Sequence, residues 1–472
     1  MTSLARKLDA FPQMQQFFTR VCEAGGRALI VGGAVRDALL GFEEIGDFDV
    51  EVYKIVPAKI ESLLRELKIR YNVAGRSFGV FKIHDFPFDI AIPRRESKCG
   101  IGHKAFKVEG DPEMTVAEAA ARRDFTINAM YFDPLTNELI DPFGGNVDLR
   151  ERVLRHTSPA FVEDPLRVLR AMQFIARFEL ICAPETLELC KTISIENLSR
   201  ERIFEEWSKL LVKGKKISAG LNFLRDCGWV KYFPELQALI GCEQDPFWHP
   251  EGDVWNHTLK CLDIYAQNRA GTTPAGTDFQ AENEVVGFAV LCHDFGKPKT
   301  TFRGKDGRIH SYGHDVKGDV PARKFLERMT NETRLIKDVV VLVKAHMRPR
   351  AIFLAGATDK AVRRLAKDVL RIDRLLRVCQ CDAFGSNFHN SNDFQETETW
   401  LLAAAKRLGL QASAPQPIIT GKHALAQGLT PGPHIKPLIE RCFEAQLDGE
   451  FFDEAGGVEF LKKILNKDVP AV

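Results

Sequence analysis

The apolar run Ala28–Val31 stops at two glycines, Gly32-Gly33, and the chain resumes an alternating pattern at Asp47-Phe48-Asp49-Val50-Glu51-Val52. Strand, glycine turn, helix and second strand is the arrangement this order predicts. Paired glycines let backbone amides come closer to a ligand than a Cβ would allow, and a helix N-terminus favours phosphate. Arg36 falls one turn into that helix, where its guanidinium can fork onto phosphate oxygens. Asp47 and Asp49, two apart in a β pattern, face the same side. Neighbouring carboxylates repel unless cations neutralise them, and Mg²⁺ takes such oxygens together with substrate phosphates. The stretch therefore reads as a metal-dependent nucleotidyl-transfer site. A plain glycine turn beside a solvated strand end accounts for Gly32-Gly33 alone, but not for Arg36 and the two acids behind them.

A chain of 472 residues is long enough for several domains. Its 45% hydrophobic and 27% charged residues are those of a globular protein. A net charge of +1 leaves nucleic-acid binding to local patches. The eleven cysteines include no CxxC, the N-terminus lacks the apolar core of a signal peptide, and no apolar run reaches membrane-spanning length. These features lead to the expectation of a cytoplasmic protein with reduced thiols and no membrane contact.

Periodicity predicts an amphipathic helix in residues 1–27, a helix over Pro57–Leu67, and strands at Arg70–Val73 and Phe78–Ile92. Strands with a few helices continue to about residue 150. From Arg152 to Lys216 the pattern is helical. A second helical block, 255–385, is entered through the loop Gln244–Asp253, and a Pro-rich linker at Ala412–Pro417 precedes a last pair of helices. The expected fold class is α+β.

Three clusters extend the first site. Asp89, in the strand pattern of Phe86–Glu96, is a candidate third carboxylate, with an exposed strand residue as the plainer alternative. Arg122–Met130 (RRDFTINAM) brings Arg123, Asp124 and Asn128 into one segment suited to ribose hydroxyls and triphosphate oxygens, or to a buried capping network. In Glu163–Arg170 (EDPLRVLR), Pro165 starts a helix that puts Asp164, Arg167 and Arg170 on one face. There a carboxylate accepts from the exocyclic amine of cytosine or adenine while an arginine donates to ring acceptors. Uracil and guanine present a carbonyl at that position, so the pair selects C and A without a template. An ordinary intrahelical ion pair is the alternative.

GGAVRDALLG with DFD, then RRDFTINAM, then EDPLRVLRAMQFIARF followed by ERIFEEW, occur in that order over residues 28–210. With these motifs the chain resembles the class II CCA-adding enzyme and poly(A) polymerase family. The resemblance implies a polymerase-β-like head in which Asp47 and Asp49 are catalytic and bind two Mg²⁺, with Asp89 beside them as a further catalytic carboxylate. It implies that Gly32, Gly33, Arg36, Arg123, Asp124 and Asn128 hold the nucleotide, and that Asp164, Arg167 and Arg170 in a helical neck read its base. Arg94–Phe106 looks more like the bacterial CCA-adding enzymes. One departure is Ala119 following Glu118, where family members usually carry a second acid.

The second helical block carries His257, His293-Asp294, His314, His346 and Asp382, ligand types that suit a binuclear metal centre, with Lys297 one turn beyond the His-Asp pair and in reach of a phosphate. This block resembles HD-domain metal-dependent phosphohydrolases, and Mg, Mn and Ni are the divalent ions considered. Arg363, Lys367, Arg371 and Arg374 recur at helical spacing, either as an RNA-backbone track or, more simply, as a solvated face.

The expected organisation is a nucleotidyltransferase head at 1–150, a helical neck and body at 151–243, an HD domain at 244–400 and a helical tail at 401–472 contacting tRNA. The expected activity is addition of C, C and A to the tRNA 3′ end from CTP and ATP. Alternatives are a poly(A) polymerase, an enzyme adding only CC or only A, an HD phosphohydrolase with a nucleotide-binding head, and a non-enzymatic RNA-binding module.

Overall fold

The computed structural model describes residues 2–43, 46–74, 80–98, 106–272, 278–386 and 388–467. The chain forms two compact units, 1–232 and 233–472.

The first unit opens with α1 (Thr2–Leu8) and α2 (Pro12–Glu23). The single helix expected over residues 1–27 is thus two, because Pro12 has no amide to continue a helix and serves instead as a first-turn residue. Then follow β1 (Arg27–Val31), α3 (Gly33–Leu39), β2 (Phe48–Tyr53), α4 (Pro57–Glu66), β3 (Tyr71–Ala74), β4 (Val80–Ile83) and β5 (Phe88–Ala91). The strand expected over Phe78–Ile92 is therefore a hairpin, β4 and β5 pairing antiparallel. β6 (Arg94–Lys98) and β7 (Phe106–Gly110) form a separate ribbon, most of whose connecting segment within Arg94–Phe106 lies outside the described residues. After α5 (Val116–Ala121) come β8 (Tyr131–Asp133), β9 (Glu138–Ile140) and α6 (Gly145–Arg150).

The seven-stranded sheet has the order β3-β4-β5-β2-β1-β8-β9. All its pairings are antiparallel except β2–β5. Phe48, Val50 and Val52 are buried, which turns the alternate positions Asp47 and Asp49 to solvent. Phe48 stacks on Phe88 at 4.7 Å between ring centres, seating β2 against β5. Four helices, α7 (Leu166–Phe178), α8 (Pro184–Lys191), α9 (Arg200–Lys213) and α10 (Ile217–Asp226), complete the unit, with α7 packed on both α9 and α10.

The second unit is helical: α11 (Pro234–Gln237), α12 (Val254–Thr272), α13 (Phe279–Cys292), α14 (Lys297–Thr300), α15 (His314–Lys317), α16 (Asp319–Glu327), α17 (Thr333–Ala345), α18 (Arg348–Leu354), α19 (Asp359–Val369), α20 (Ile372–Gly385) and α21 (Phe388–Arg407). α12 packs on α13 and α20, and α13 on α17. The expected last pair of helices is α23 (Ile435–Asp448) and α24 (Glu454–Lys467); with the short α22 (Gly421–Ala426) before them they close a small core of Ile419, Cys442, Phe451 and Leu461. The basic residues expected along one helix face are not continuous, since the chain turns at Leu370 with φ of 63°. Lys367 pairs with Glu444, Arg371 with Asp373 and Glu282, and Arg374 with Glu282 and Asp338, while Arg363 lies over the Phe452 ring. The first three of these cations thus pair with acids on neighbouring helices while remaining partly exposed.

Candidate active site and metal cluster

Gly32 closes β1 with φ of 78° and ψ of −126°, a conformation available essentially only to glycine. A Cβ there would stand 3.0 Å from Arg123 Nη1, so the bare glycine also admits that guanidinium. The register then assembles the acids. Asp49 on β2 lies opposite Val31 at the end of β1 on one side and opposite Asp89 on β5 on the other. Crowding by surrounding protein raises the Asp49 carboxyl above its usual value; Arg123 opposes this, and Asp89, Glu51 and Asp47 add to it. Such mutual repulsion among carboxylates is relieved by a divalent cation. Lys82 Nζ lies 3.3 Å from Asp89.

Glu51, next in the alternation after Asp47 and Asp49, belongs to no motif, although the same period places it on their face. Its Oε1 accepts from Arg123 Nη2 at 2.6 Å and its Oε2 from the Tyr53 hydroxyl at 2.7 Å. Glu51 thereby fixes Arg123 beside the glycine turn.

Arg36 is placed otherwise than expected. It is 5% exposed and turned inward from α3: Nη1 donates to Asn128 Oδ1 at 2.6 Å, Nε donates to Asp37 Oδ1 at 2.8 Å, and the guanidinium lies 4.5 Å from the Phe178 ring centre. Its inward direction follows from α7, whose Phe174 and Phe178 offer aromatic faces to a cation that neighbouring acceptors satisfy. Asn128 passes the connection on, donating to Asp124 Oδ1 at 3.0 Å, and Asp124 Oδ2 accepts from Arg170 Nε at 2.7 Å. A continuous chain of polar contacts thus runs from α3 through the RRDFTIN segment to α7. Burial works against ionisation of Asp124, yet Arg170 and Asn128 hold its carboxyl below the usual range.

Asp164 and Arg167 do not pair with each other. Asp164 Oδ2 accepts from Arg202 Nη2 at 2.7 Å, while Arg167 donates to the carbonyls of Ala160 and Arg122 at 2.9 and 2.6 Å. Arg202, within the ERIFEEW motif on α9, becomes visible as a partner of Asp164 only once α7 and α9 are packed together. Glu118 closes a capping box with Thr115 at the start of α5, and Ala119 after it is buried in the apolar core.

In the second unit, the expected ligands converge. His293, His314 and His346 each set Nδ1 against the carbonyl three residues earlier (Val290, Ser311 and Val343, 2.7–2.8 Å), and His257 sets Nδ1 against Glu251 Oε1 at 2.7 Å. Every ring therefore presents Nε2 to the interior, the orientation that carbonyl and carboxylate partners impose on metal-binding imidazoles. Facing Nε2 atoms lie 3.3 Å apart for His257 and His293 and 3.2 Å for His314 and His346. Asp294 stands between the two sets, Oδ2 at 3.4 Å from His293 Nε2 and Oδ1 at 3.4 Å from His314 Nε2. Asp382 Oδ1 lies 3.0 Å from His257 Nε2. Burial with His314 and His293 nearby lowers His346 to about 4, so its ring is neutral and its lone pair is available. Burial opposes ionisation of Asp294, yet Lys297, His293 and His314 hold it well below the carboxylate range. Four imidazoles and two carboxylates converging on one point fit divalent cations. His314, His346 and Asp382 border a cavity of about 350 Å³ that Trp248, Tyr312 and Arg350 also line. Lys297 also faces this cavity, but its amine is engaged by Asp294 Oδ2 and Gln244 Oε1, each at 2.7 Å.

Residues 28–155 match the family described as the poly A polymerase head domain, and 183–240 match a probable RNA- and SrmB-binding site of polymerase A. The multifunctional CCA protein of Stenotrophomonas maltophilia (strain R551-3) is 34% identical over 395 residues, covering 81% of this chain and 92% of that protein. That of Laribacter hongkongensis is 36% identical over 383 residues, 78% of this chain and 88% of the relative. The chain belongs to the multifunctional CCA protein family. It is accordingly a nucleotidyltransferase, and the family carries a requirement for a divalent metal ion. Among solved structures, the Bacillus stearothermophilus CCA-adding enzyme in complex with CTP superposes with a TM-score of 0.65 at 22% identity, covering 97% of this chain and 98% of that one. The Thermotoga maritima CCA-adding enzyme complexed with tRNA gives 0.58 at 20% identity, over 96% of each chain. These likenesses show that the fold is shared with CCA-adding enzymes. Among the described residues, no helix is long and apolar enough to cross a membrane.

Proposed function

We propose that this member of the CCA protein family adds C, C and A to the 3′ end of tRNA from CTP and ATP, releasing pyrophosphate. One observation carries the reading: the β2 and β5 register sets Asp49 beside Asp89 at the Gly32 turn, while Asp124 and Arg170 lock that head to the α7 helix. Asp47 and Asp49 would hold Mg²⁺, which when bound neutralises triphosphate charge and eases deprotonation of the attacking hydroxyl. Asp89, adjacent on the parallel strand, would accept the proton of the 3′-hydroxyl. Arg123, steadied by Glu51, would meet the triphosphate beside Gly32 and Gly33, with Arg36 and Asn128 acting behind it as positioning residues. Asp164 would accept the exocyclic amine of cytosine or adenine, with Arg202 preserving its charge, while Arg167 would donate to the ring. Incubating the full chain with truncated tRNA and each nucleotide in turn tests this: C and A additions that stop at CCA support it. Absence of both overturns it, and runs of A alone would identify a poly(A) polymerase.

The second unit supports a further activity, metal-dependent hydrolysis of phosphate esters. It is carried by the inward-facing imidazoles around Asp294, and by a cavity giving His314 and His346 access to a ligand. His293→Ala abolishes such hydrolysis under this reading while leaving nucleotide addition intact. Equal loss of both activities would overturn the assignment to the second unit.

A further inference from the structure

Cys261 lies one turn after His257 on α12, and its side chain is completely buried. Its Sγ stands 3.4 Å from His257 Nε2. The sulfur fits because α20 carries Gly385 there: a Cβ at that position would lie 2.4 Å from Sγ. Around the same point His257 and His293 present Nε2 atoms 3.3 Å apart. Asp382 Oδ1 lies 3.0 and 3.8 Å from them. All four candidate donor atoms, two nitrogens, one oxygen and one sulfur, fall within 4.8 Å of one another. A tetrahedral ion bonded at 2.0–2.3 Å separates its ligands by about 3.3–3.8 Å along each edge. The contacts measured here nearly match that figure before any ion draws them in.

We propose that Cys261 is a thiolate ligand which, with His257, His293 and Asp382, closes the inner half of the metal cluster into an N₂OS site. The inference rests on the reading of the second unit as a metal centre and specifies its inner position. Thiolate is a soft donor that favours Zn²⁺ and similar transition ions over Mg²⁺ and Mn²⁺. The two halves of the cluster thus become unequal. The inner one is saturated by protein, and of its four donors Asp382 alone reaches the cavity wall. The outer one, with His314 and His346, lies on the cavity wall and keeps room for a ligand.

The test uses full-length protein stripped with a chelator and titrated with Co²⁺. The expected spectrum has visible ligand-field bands together with a near-ultraviolet sulfur-to-cobalt charge-transfer band. In Cys261→Ser the charge-transfer band disappears, and the tighter cobalt site weakens by at least about tenfold, a cost on the order of 1.4 kcal/mol. Visible bands without a charge-transfer band in the unsubstituted protein, or a charge-transfer band that survives Cys261→Ser, would overturn the thiolate assignment while leaving the metal centre standing. Absence of any cobalt binding would remove the metal centre itself. Should Cys261→Ser fail to fold, X-ray absorption on the zinc-loaded unsubstituted protein decides. One sulfur at about 2.3 Å supports the inference, and only nitrogen and oxygen at about 2.0–2.1 Å refutes it.

Discussion

Arg170 on α7 donates from Nε to Asp124 Oδ2 at 2.7 Å, and Nη2 lies 2.7 Å from the same oxygen. The pair joins the neck helix to the RRD segment of the head, and Asn128 extends the connection to Arg36. Removing the carboxylate charge leaves a largely enclosed guanidinium with the more distant Glu206, 4.0 Å from Nη1, as its remaining ion-pair partner. Asp124→Asn is therefore expected to destabilise the first unit by about 2 kcal/mol, somewhat less than for a fully buried pair because Arg170 keeps some solvent. Chemical denaturation measures it; an unchanged midpoint would show that the contact is not formed in solution.

The same pair sets an acid dependence. A carboxyl held below its ordinary value stabilises the fold at every pH above its unfolded pKa, and that contribution disappears as pH falls through the lower folded value. The stability gap between the unsubstituted protein and Asp124→Asn should hold constant above about pH 4–5 and narrow below it. A gap that widens on acidification would contradict this sign.

Asp47 and Asp49 are exposed, and Asp49 sits among like charges. Asp49→Asn should therefore unfold in metal-free buffer within about 0.5 kcal/mol of the parent, or slightly later. Nucleotide addition, in contrast, should fall by at least about three orders of magnitude with either Asp47→Ala or Asp49→Asn. Paired thermal melts and tRNA-labelling assays separate the two effects.

Arg202 forms an ion pair with Asp164 in this structure. Arg202→Ala should loosen Asp164 and raise the KM for CTP and ATP roughly tenfold, about 1.4 kcal/mol, with greater incorporation of U and G. Steady-state assays with single nucleotides check this, and unaltered selectivity would remove Arg202 from base reading.

Divalent metal should stabilise the second unit, whose buried Asp294 and half-buried Asp382 are ionised beside imidazoles. At a free ion concentration a hundredfold above Kd, the expected gain is about 2.7 kcal/mol, seen as a rise in melting temperature that EDTA reverses. His293→Ala should lose that rise.

Much of this protein could be read in one dimension because its signals are local. Alternation at Phe48, Val50 and Val52 dictates which way Asp47 and Asp49 point, Pro165 fixes the start of α7, and a glycine turn demands Gly32. The ordered motifs and the six ligand-type residues of the second block likewise required no knowledge of packing. What packing alone decided is which partner each charge takes. Arg36 could have met solvent, yet the aromatic face of α7 and the amide of Asn128 draw it inward. Asp164 finds Arg202 across two helices rather than Arg167 on its own, and Cys261 reaches His257 and His293 because Gly385 makes way on another helix. A side chain's reach along its own element is set by backbone period, which the sequence records directly. Its choice among distant donors and acceptors depends on burial and approach across elements, and these exist only in the folded chain.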